Sequence, residues 1–205
     1  MASGALRRCK AVRVAFLLLA GMTAAHAEEG LVVDAVTGTP ISGVFVVAEW
    51  RGEVPRPVEP AGGCYEVALT RTGNDGRFHV DLNSANLNPM IINRERLVTL
   101  FKPGYEIKEF FDAVEKRTEL RPFTGTFAKR FKDYNAVWAR ECPEASARLL
   151  PLVEAIHAEA EALARTPAER EKVAGFQLQL DTYSMGHDAA YRRYLETLKR
   201  IKQPD

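Results

Sequence analysis

The chain has 205 residues, 46% of them hydrophobic, with 28 Lys and Arg against 27 Asp and Glu. A chain so close to neutrality lacks the clustered positive charge with which proteins attract nucleic acid or anionic membrane surfaces. Its length fits one ordinary domain, or a small domain with an appendage.

The N-terminus has the three-part pattern of a secretory signal peptide. Residues 14–22 form an apolar run, which is shorter than the roughly 20 residues of a membrane span and follows four basic residues: Arg7, Arg8, Lys10 and Arg13. Ala25 and Ala27 supply the small residues that precede a cleavage site, so we predict cleavage after Ala27. The ordinary secretion route is favoured, while Arg7–Arg8 leave the twin-arginine route open. We therefore expect a periplasmic or secreted protein.

Cleavage removes four basic residues and no acidic residue, leaving 24 Lys and Arg against 27 Asp and Glu. The mature chain is then slightly acidic. It holds no further apolar run of the length that crosses a membrane.

Cys9 is lost with the signal peptide, which leaves Cys64 and Cys142. Two cysteines in an oxidising compartment usually form one disulfide. The alternative, a reactive thiol, needs a neighbouring His, and neither flanking sequence offers one. We therefore predict a Cys64–Cys142 disulfide.

From residue 30 to residue 111, short apolar runs alternate with Gly- and Pro-rich punctuation, which is typical of an antiparallel sandwich. Six runs are predicted to be strands: 30–36, 42–50, 64–72, 77–82, 96–102 and 105–111. The Pro-rich segment 54–60 is predicted to be an exposed connection, since proline cannot donate to a strand ladder.

From Pro122 onward the apolar residues follow the period of helices. Four helices are predicted, and each has one apolar stripe that is expected to be buried. In chain order the stripes are Phe127, Phe131, Tyr134 and Trp138; Leu149, Leu152, Val153, Ile156, Ala160 and Leu163; Val173, Phe176, Leu180 and Tyr183; and Tyr191, Leu195, Leu198 and Ile201. Thr166 and Glu169 form a capping box around Pro167, and Gly186 marks a break before the last helix.

The segment TRTGNDGRFHVDL, residues 70–82, predicts a hairpin with its turn at Asn74, Asp75 and Gly76. If Thr72 pairs with Arg77, the apolar residues of both strands share one face. The other face then carries Cys64, Glu66, Ala68 and Thr70 beside His79 and Asp81. Three of these are the possible partner contacts: Glu66, His79 and Asp81. A disulfide from Cys64 would clamp the helices onto that face.

Turn and strand signals along residues 30–111 resemble the carboxypeptidase regulatory-like domain. The matching residues are Gly30, Asp34, Thr37, Gly38, Pro40, Ile41, Gly43, Val44, Val46, Thr72, Asp75, Gly76, Phe78, Gly104 and Tyr105. The chain departs from the family pattern at Gly73 and in the Pro-rich loop. The helical half, starting near residues 122–126, resembles extensions of small exported bacterial members.

The resemblance implies a transthyretin-like or prealbumin-like sandwich, a carbohydrate-binding-like fold, acting as an accessory module without chemistry of its own. We therefore predict an α+β protein: an antiparallel Greek-key β-sandwich of about seven strands, followed by a C-terminal helical layer of three or four helices. The predicted segments are the signal peptide 1–27, the sandwich 28–111 and the helical extension 112–205.

Individual candidates for chemistry are interpreted as structural. His157 with Glu161, and the basic run Lys129, Arg130 and Lys132, are interpreted as solvated helix faces. Asp75 in a short turn offers too few ligands for calcium. The chain also lacks the motifs of hydroxyisourate hydrolase and of serine hydrolases. No catalytic residue, metal site or cofactor is predicted.

Two functions follow as hypotheses. The first is a non-catalytic exported binding module of the bacterial envelope, whose partner is a protein or a cell-wall glycan. Sugars would stack on Trp50, Tyr65 and Tyr105 if these are exposed, and the alternative is that they are core residues. The alternative is an unrecognised periplasmic hydrolase with His79, Asp81 and Glu66 on the outer sheet face. The oligomeric state and the pathway are not indicated by the sequence.

Overall fold

A computed structural model describes residues 27–57, 60–81, 90–111, 114–138 and 146–203. Residues 1–26 of the predicted signal peptide and Cys142 therefore lie outside the described residues, whereas Ala27 begins the first strand. The described chain is α+β, as predicted, with strands followed by four helices. The strands are β1 (Ala27–Asp34), β2 (Phe45–Val54), β3 (Ala61–Arg71), β4 (Arg77–Asp81), β5 (Ile92–Phe101), β6 (Lys108–Phe111) and β7 (Arg117–Leu120).

The strands form two sheets, one of three strands in the order β4-β1-β7 and one of four in the order β3-β2-β5-β6. Most pairs are antiparallel, but β1 and β7 pair in parallel, so the expectation of a purely antiparallel arrangement was wrong. Strand β7 lies beyond residue 111 and was assigned to the helical extension. Its four residues RTEL alternate between exposed and buried, which is too short a pattern to stand out in a sequence.

The turn at residues 73–76 connects the two sheets, and the predicted β3–β4 hairpin was wrong. Strand β3 pairs with β2, whereas β4 pairs with β1. The amide of Thr72 donates to the carbonyl of Val44 at 3.0 Å, and the amide of Val32 donates to the carbonyl of Gly76 at 2.9 Å. These bonds take the two sides of the turn to different sheets.

Both faces of the four-stranded sheet are covered. One face shares an apolar core with the three-stranded sheet, to which Val46, Leu100 and Phe78 belong. The opposite face, with Val47 and Val67, packs against the helices. Val67 therefore lies on the other side of the sheet from Phe78, and the prediction that they share a face failed because it assumed a single core.

The helices are α1 (Phe127–Trp138), α2 (Ser146–Leu163), α3 (Pro167–Met185) and α4 (His187–Lys202). Thr166 caps α3 with the predicted capping box. Gly186 ends α3 and begins α4 with a φ of 81°, in the left-handed region that favours glycine. Buried residues of α1, α2 and α3 face the sheet or one another, among them Tyr134, Ile156 and Phe176.

Helix α4 departs from its predicted orientation. Its fully buried residue is Ala190, whereas Tyr191 and Leu195 are 46% and 40% exposed. Leu198 and Ile201 are half-buried, so only the second half of the predicted stripe Tyr191, Leu195, Leu198 and Ile201 faces inward. Helix α4 packs against α3 as the outermost layer, where short side chains permit close approach of the two helices.

Candidate functional site

The structure places the predicted contact residues on two different sheets. His79 lies on β4, and its Nδ1 is 3.2 Å from Glu29 Oε1 on the neighbouring strand β1. Asp81 ends β4 opposite Ala27. Glu66 lies on β3 in the other sheet, with an oxygen 2.5 Å from Arg148 Nη1 of α2. The outer-face site built from these three residues was wrong, because it depended on the β3–β4 hairpin.

Asn74, Asp75 and Gly76 form the turn between the sheets. Asp75 accepts a hydrogen bond from the amide of Arg77 at 3.0 Å, and Gly76 has a φ of 73°. A Cβ atom on Gly76 would stand 2.6 Å from the carbonyl oxygen of Val32, closer than real contacts allow. The geometry gives these residues a structural role.

Cys64 packs against the helix-facing core. A register shift beside Trp50 and Arg51 pairs Glu66 with Trp50 and Cys64 with Arg51, skipping Tyr65. This bulge turns Cys64 to the face that the helices cover. Its pairing with Cys142 remains a prediction.

The aromatic residues considered for sugar stacking are engaged elsewhere. Trp50 is 8% exposed and belongs to the core between the sheets, which is the alternative considered for it. The hydroxyl of Tyr65 donates to the carbonyl of Gly52 at 2.8 Å. The hydroxyl of Tyr105 donates to Asp34 at 2.9 Å, and this bond raises the pKa of Tyr105.

A buried ion pair joins the helices to the four-stranded sheet. Arg130 of α1, with a side chain 0% exposed, binds Glu159 of α2 through Nε at 3.0 Å and Nη2 at 2.8 Å. The amide of Gly104, in the β5–β6 turn, donates to the same carboxylate at 2.6 Å. Tyr134 also donates to it, and burial together with this bond raises the pKa of Tyr134. One carboxylate thus ties two helices to a sheet turn.

The interpretation of Arg130 as part of a solvated basic face was wrong. Its guanidinium lies 4.8 Å from the centre of the Phe123 ring and 5.2 Å from that of Tyr134. Arg130 stands three residues after Phe127 and four before Tyr134, on the same helix face as the aromatic stripe. The spacing of Arg130 from these two aromatic residues is the feature of the sequence that indicates its burial.

A groove of about 680 Å³ lies between α2, α3 and α4, and we call it the helical groove. Its charged and aromatic lining comprises His157, Glu161, Arg170, Asp181, Arg193, Tyr194 and Arg200. Asp181 forms the floor, where it is 5% exposed and accepts hydrogen bonds from Gln177 at 2.7 Å and from Arg193 at 3.1 Å. The sequence did not indicate this groove, because its walls come from three helices.

His157 also departs from its predicted position on a solvated face. Its side chain is 13% exposed, and its ring stacks on Phe176 with centres 6.1 Å apart. Burial lowers the pKa of His157, Glu161 and Asp181 oppose that shift, and Arg193 adds to it. The imidazole is therefore neutral at pH 7.

A second, more polar cleft of about 460 Å³ lies at the end of the β2–β3 hairpin, between Arg51, Glu53 and Asn93. Asn93 donates to Glu53 at 2.7 Å. Within the described ranges, no group of three or more His, Cys, Asp or Glu is arranged to hold a metal ion. No helix of the described chain combines the length and the apolar character that a membrane span requires.

Comparisons with known protein families, with curated proteins and with solved structures found no match to this chain.

Proposed function

We propose that the protein is a non-catalytic exported binding module of the bacterial envelope, and that the helical groove is its binding site. The partner is a protein or a component of the cell wall. The signal-peptide pattern of residues 1–27 supports export.

One observation about the helical groove carries the proposal. Arg170 and Arg200 line it, and neither pairs with a carboxylate of the described residues: Arg170 donates to the carbonyl of Arg165 at 3.3 Å and Arg200 to the hydroxyl of Thr197 at 3.4 Å. A guanidinium has five N–H donors, so most of these donors are available to a ligand. A concave site lined by cationic groups with available donors suits a ligand of opposite charge.

We also propose that the two sheets form a Greek-key sandwich of the carboxypeptidase regulatory-like family. Several residues that carry the resemblance hold the fold together. The hydroxyl of Thr72 donates to the carbonyl of Ile41 at 2.7 Å and accepts from the amide of Val44 at 2.9 Å. The carboxylate of Asp34 accepts from the amides of Val36 and Thr37 at 2.7 and 2.9 Å, and these bonds lower its pKa. Because these residues of the sheets have structural roles, they support an accessory module. Its binding site would then lie in the helical extension.

Retention on envelope fractions tests the proposal. The protein expressed from the full-length chain is mixed with envelope fractions of its host, beside the variant R170Q/R200Q. The control R77Q/R117Q removes two arginines from the three-stranded sheet, where they are exposed beside Asp75 and Glu119. We expect retention of the native protein and the control, and loss of retention for R170Q/R200Q. Equal behaviour of both variants would contradict the proposal.

A further inference from the structure

Arg170 and Arg200, which pair with no carboxylate of the described residues, lie at one end of the helical groove. Arg170 is in the first turn of α3 and Arg200 in the last turn of α4. Lys202 Nζ is 3.8 Å from Glu171 Oε1, which fixes these two turns side by side. The cationic end of the groove is therefore distinct from its middle, where Arg193 is bound to Asp181.

The charged side chains that line the helical groove are one negative charge short of neutrality. Arg193 and Asp181 compensate each other, and His157 is neutral at pH 7. Arg170 and Arg200 then face a single acid, Glu161, which also lines the groove and is largely exposed. A net charge of +1 matches one carboxylate, whereas a phosphate monoester carries about −1.5 to −2. Arginine can bind a carboxylate through two parallel hydrogen bonds, and this bidentate geometry adds specificity.

The remaining lining favours an apolar body over a sugar. Six apolar or aromatic residues line the walls: Ala164, Val173, Ala174, Leu178, Tyr194 and Ile201. The neutral polar side chains, Gln177 and Thr197, already donate to Asp181 and to the carbonyl of Arg193. Sugar hydroxyls would therefore find few free partners among these neutral side chains. The volume lies within the about 300–1,000 Å³ of small-ligand sites, enough for a few amino-acid residues.

We infer that the helical groove binds the free C-terminal carboxylate of a short peptide, with Arg170 and Arg200 holding the carboxylate and the apolar walls holding its side chains. The inference rests on the proposed function and specifies its ligand. Such a carboxylate occurs both at the end of a protein and at the end of a cell-wall stem peptide.

Calorimetric titration of the protein expressed from the full-length chain tests this inference. The probes are acetyl-Lys-D-Ala-D-Ala for the cell-wall source and acetyl-Ala-Leu-Phe for the protein source, each as the free acid and as the amide, beside inorganic phosphate. We expect at least one acid to bind. We also expect its amide to bind at least about tenfold more weakly, because the charge-assisted bonds are lost. The variant R170Q/R200Q should show the same loss and R77Q/R117Q none, with unfolding curves confirming that both variants fold.

Binding of one acid identifies the source of the carboxylate and supports the inference. Equal affinity for acid and amide, or tighter binding of phosphate than of either acid, would overturn it. If neither acid binds while envelope retention still depends on Arg170 and Arg200, the peptide ligand is wrong and the proposed function stands. If retention does not depend on these arginines, the proposed function itself fails.

Discussion

At the scale of single residues, the burial of two polar side chains was not predicted from the sequence. Arg130 and His157 each lie on a helix that also carries exposed charged residues, and each is covered by a neighbour distant in the sequence. Glu159 is 29 residues from Arg130, and Phe176 stacks on His157 from the next helix. Periodicity predicts which face of a helix is buried, but a charged residue on that face is buried only when a partner is provided elsewhere.

The Arg130–Glu159 pair makes a prediction about stability. Glu159→Gln leaves the buried guanidinium without a counter-charge, so we expect the free energy of unfolding to fall by about 3–5 kcal/mol. Urea denaturation measures the change. The control is Glu154→Gln on the exposed side of the same helix, with an expected change within about 0.5 kcal/mol.

The double variant R130M/E159L separates the cost of an unpaired charge from the loss of packing. Replacing both partners of a buried pair by apolar residues is often neutral or better, so we expect it to be more stable than E159Q. If E159Q were as stable as the native protein, the pair would have no structural role.

His157 makes a prediction about pH. Its pKa in the folded chain is below the unfolded value of about 6.5, so the unfolded chain binds the proton more readily. The stability that neutral His157 contributes is therefore fully present above that value and is lost as pH falls toward the folded pKa. The groups facing it are Glu161, Asp181 and Arg193.

Urea unfolding at about pH 7.5 and about pH 5.5 tests this linkage. We expect the free energy of unfolding to fall more steeply for the native chain than for His157→Gln. The exposed His187→Gln should follow the native chain. Identical slopes for the native chain and His157→Gln would show that burial of His157 is not linked to protonation.

At the scale of elements, local sequence signals predict the helix ends well, but they do not predict which strands pair with each other. The capping box at Thr166, the break at Gly186 and the stripes of α1 to α3 depend on neighbours within one or two turns. The structure confirms the capping box, the break and the burial of stripe residues such as Tyr134, Ile156 and Phe176, whereas the side chains of Trp138, Leu180 and Tyr183 lie outside what it describes. The pairing of β3 depends on which layers cover its two faces. With helices on one side and a sheet on the other, the apolar alternation of a strand no longer fixes its partner.

The orientation of α4 makes a prediction at this scale. Leu152 of α2 is 3% exposed and Leu195 of α4 is 40% exposed, although both belong to predicted stripes. We expect Leu152→Ala to reduce the free energy of unfolding by about 2–5 kcal/mol, because it leaves a cavity. Leu195→Ala should change it by less than about 0.5 kcal/mol. Denaturant titrations of both variants measure the difference, and comparable losses would mean that Leu195 is buried in solution.

At the scale of the whole molecule, the helical layer and the sheet are joined at separate points. Gly104 of the sheet binds Glu159, and Glu66 binds Arg148. Cys64 lies on the sheet face that the helices cover, which is the side from which the disulfide was predicted to join them. It reaches this face through the bulge at Tyr65 and not through the predicted hairpin. The helical groove lies among the helices, away from both joints, and no motif in the sequence pointed to it.

The predicted disulfide between Cys64 and Cys142 makes a prediction at the scale of the whole molecule. A bridge between Cys64 and Cys142 would stabilise the fold by about 4 kcal/mol on the chain-entropy account of long loops. Mass spectrometry of the unreduced protein should find no thiol to alkylate in the exported chain, and the variant C64S/C142S should unfold at lower urea. Two alkylated thiols would contradict the bridge.

The layering of the helices has a consequence for the order in which the molecule opens. Helix α4 contributes no described residue to either apolar core and packs on α3, whereas α1, α2 and α3 all contribute to the core on the sheet. An outer layer of this kind can detach while the cores stay intact, at a free energy below that of global unfolding. Backbone amides of α4 should therefore exchange with deuterated water earlier than those of α2. A ligand held between Arg170 and Arg200 would slow that exchange by tying the last helix to its neighbour.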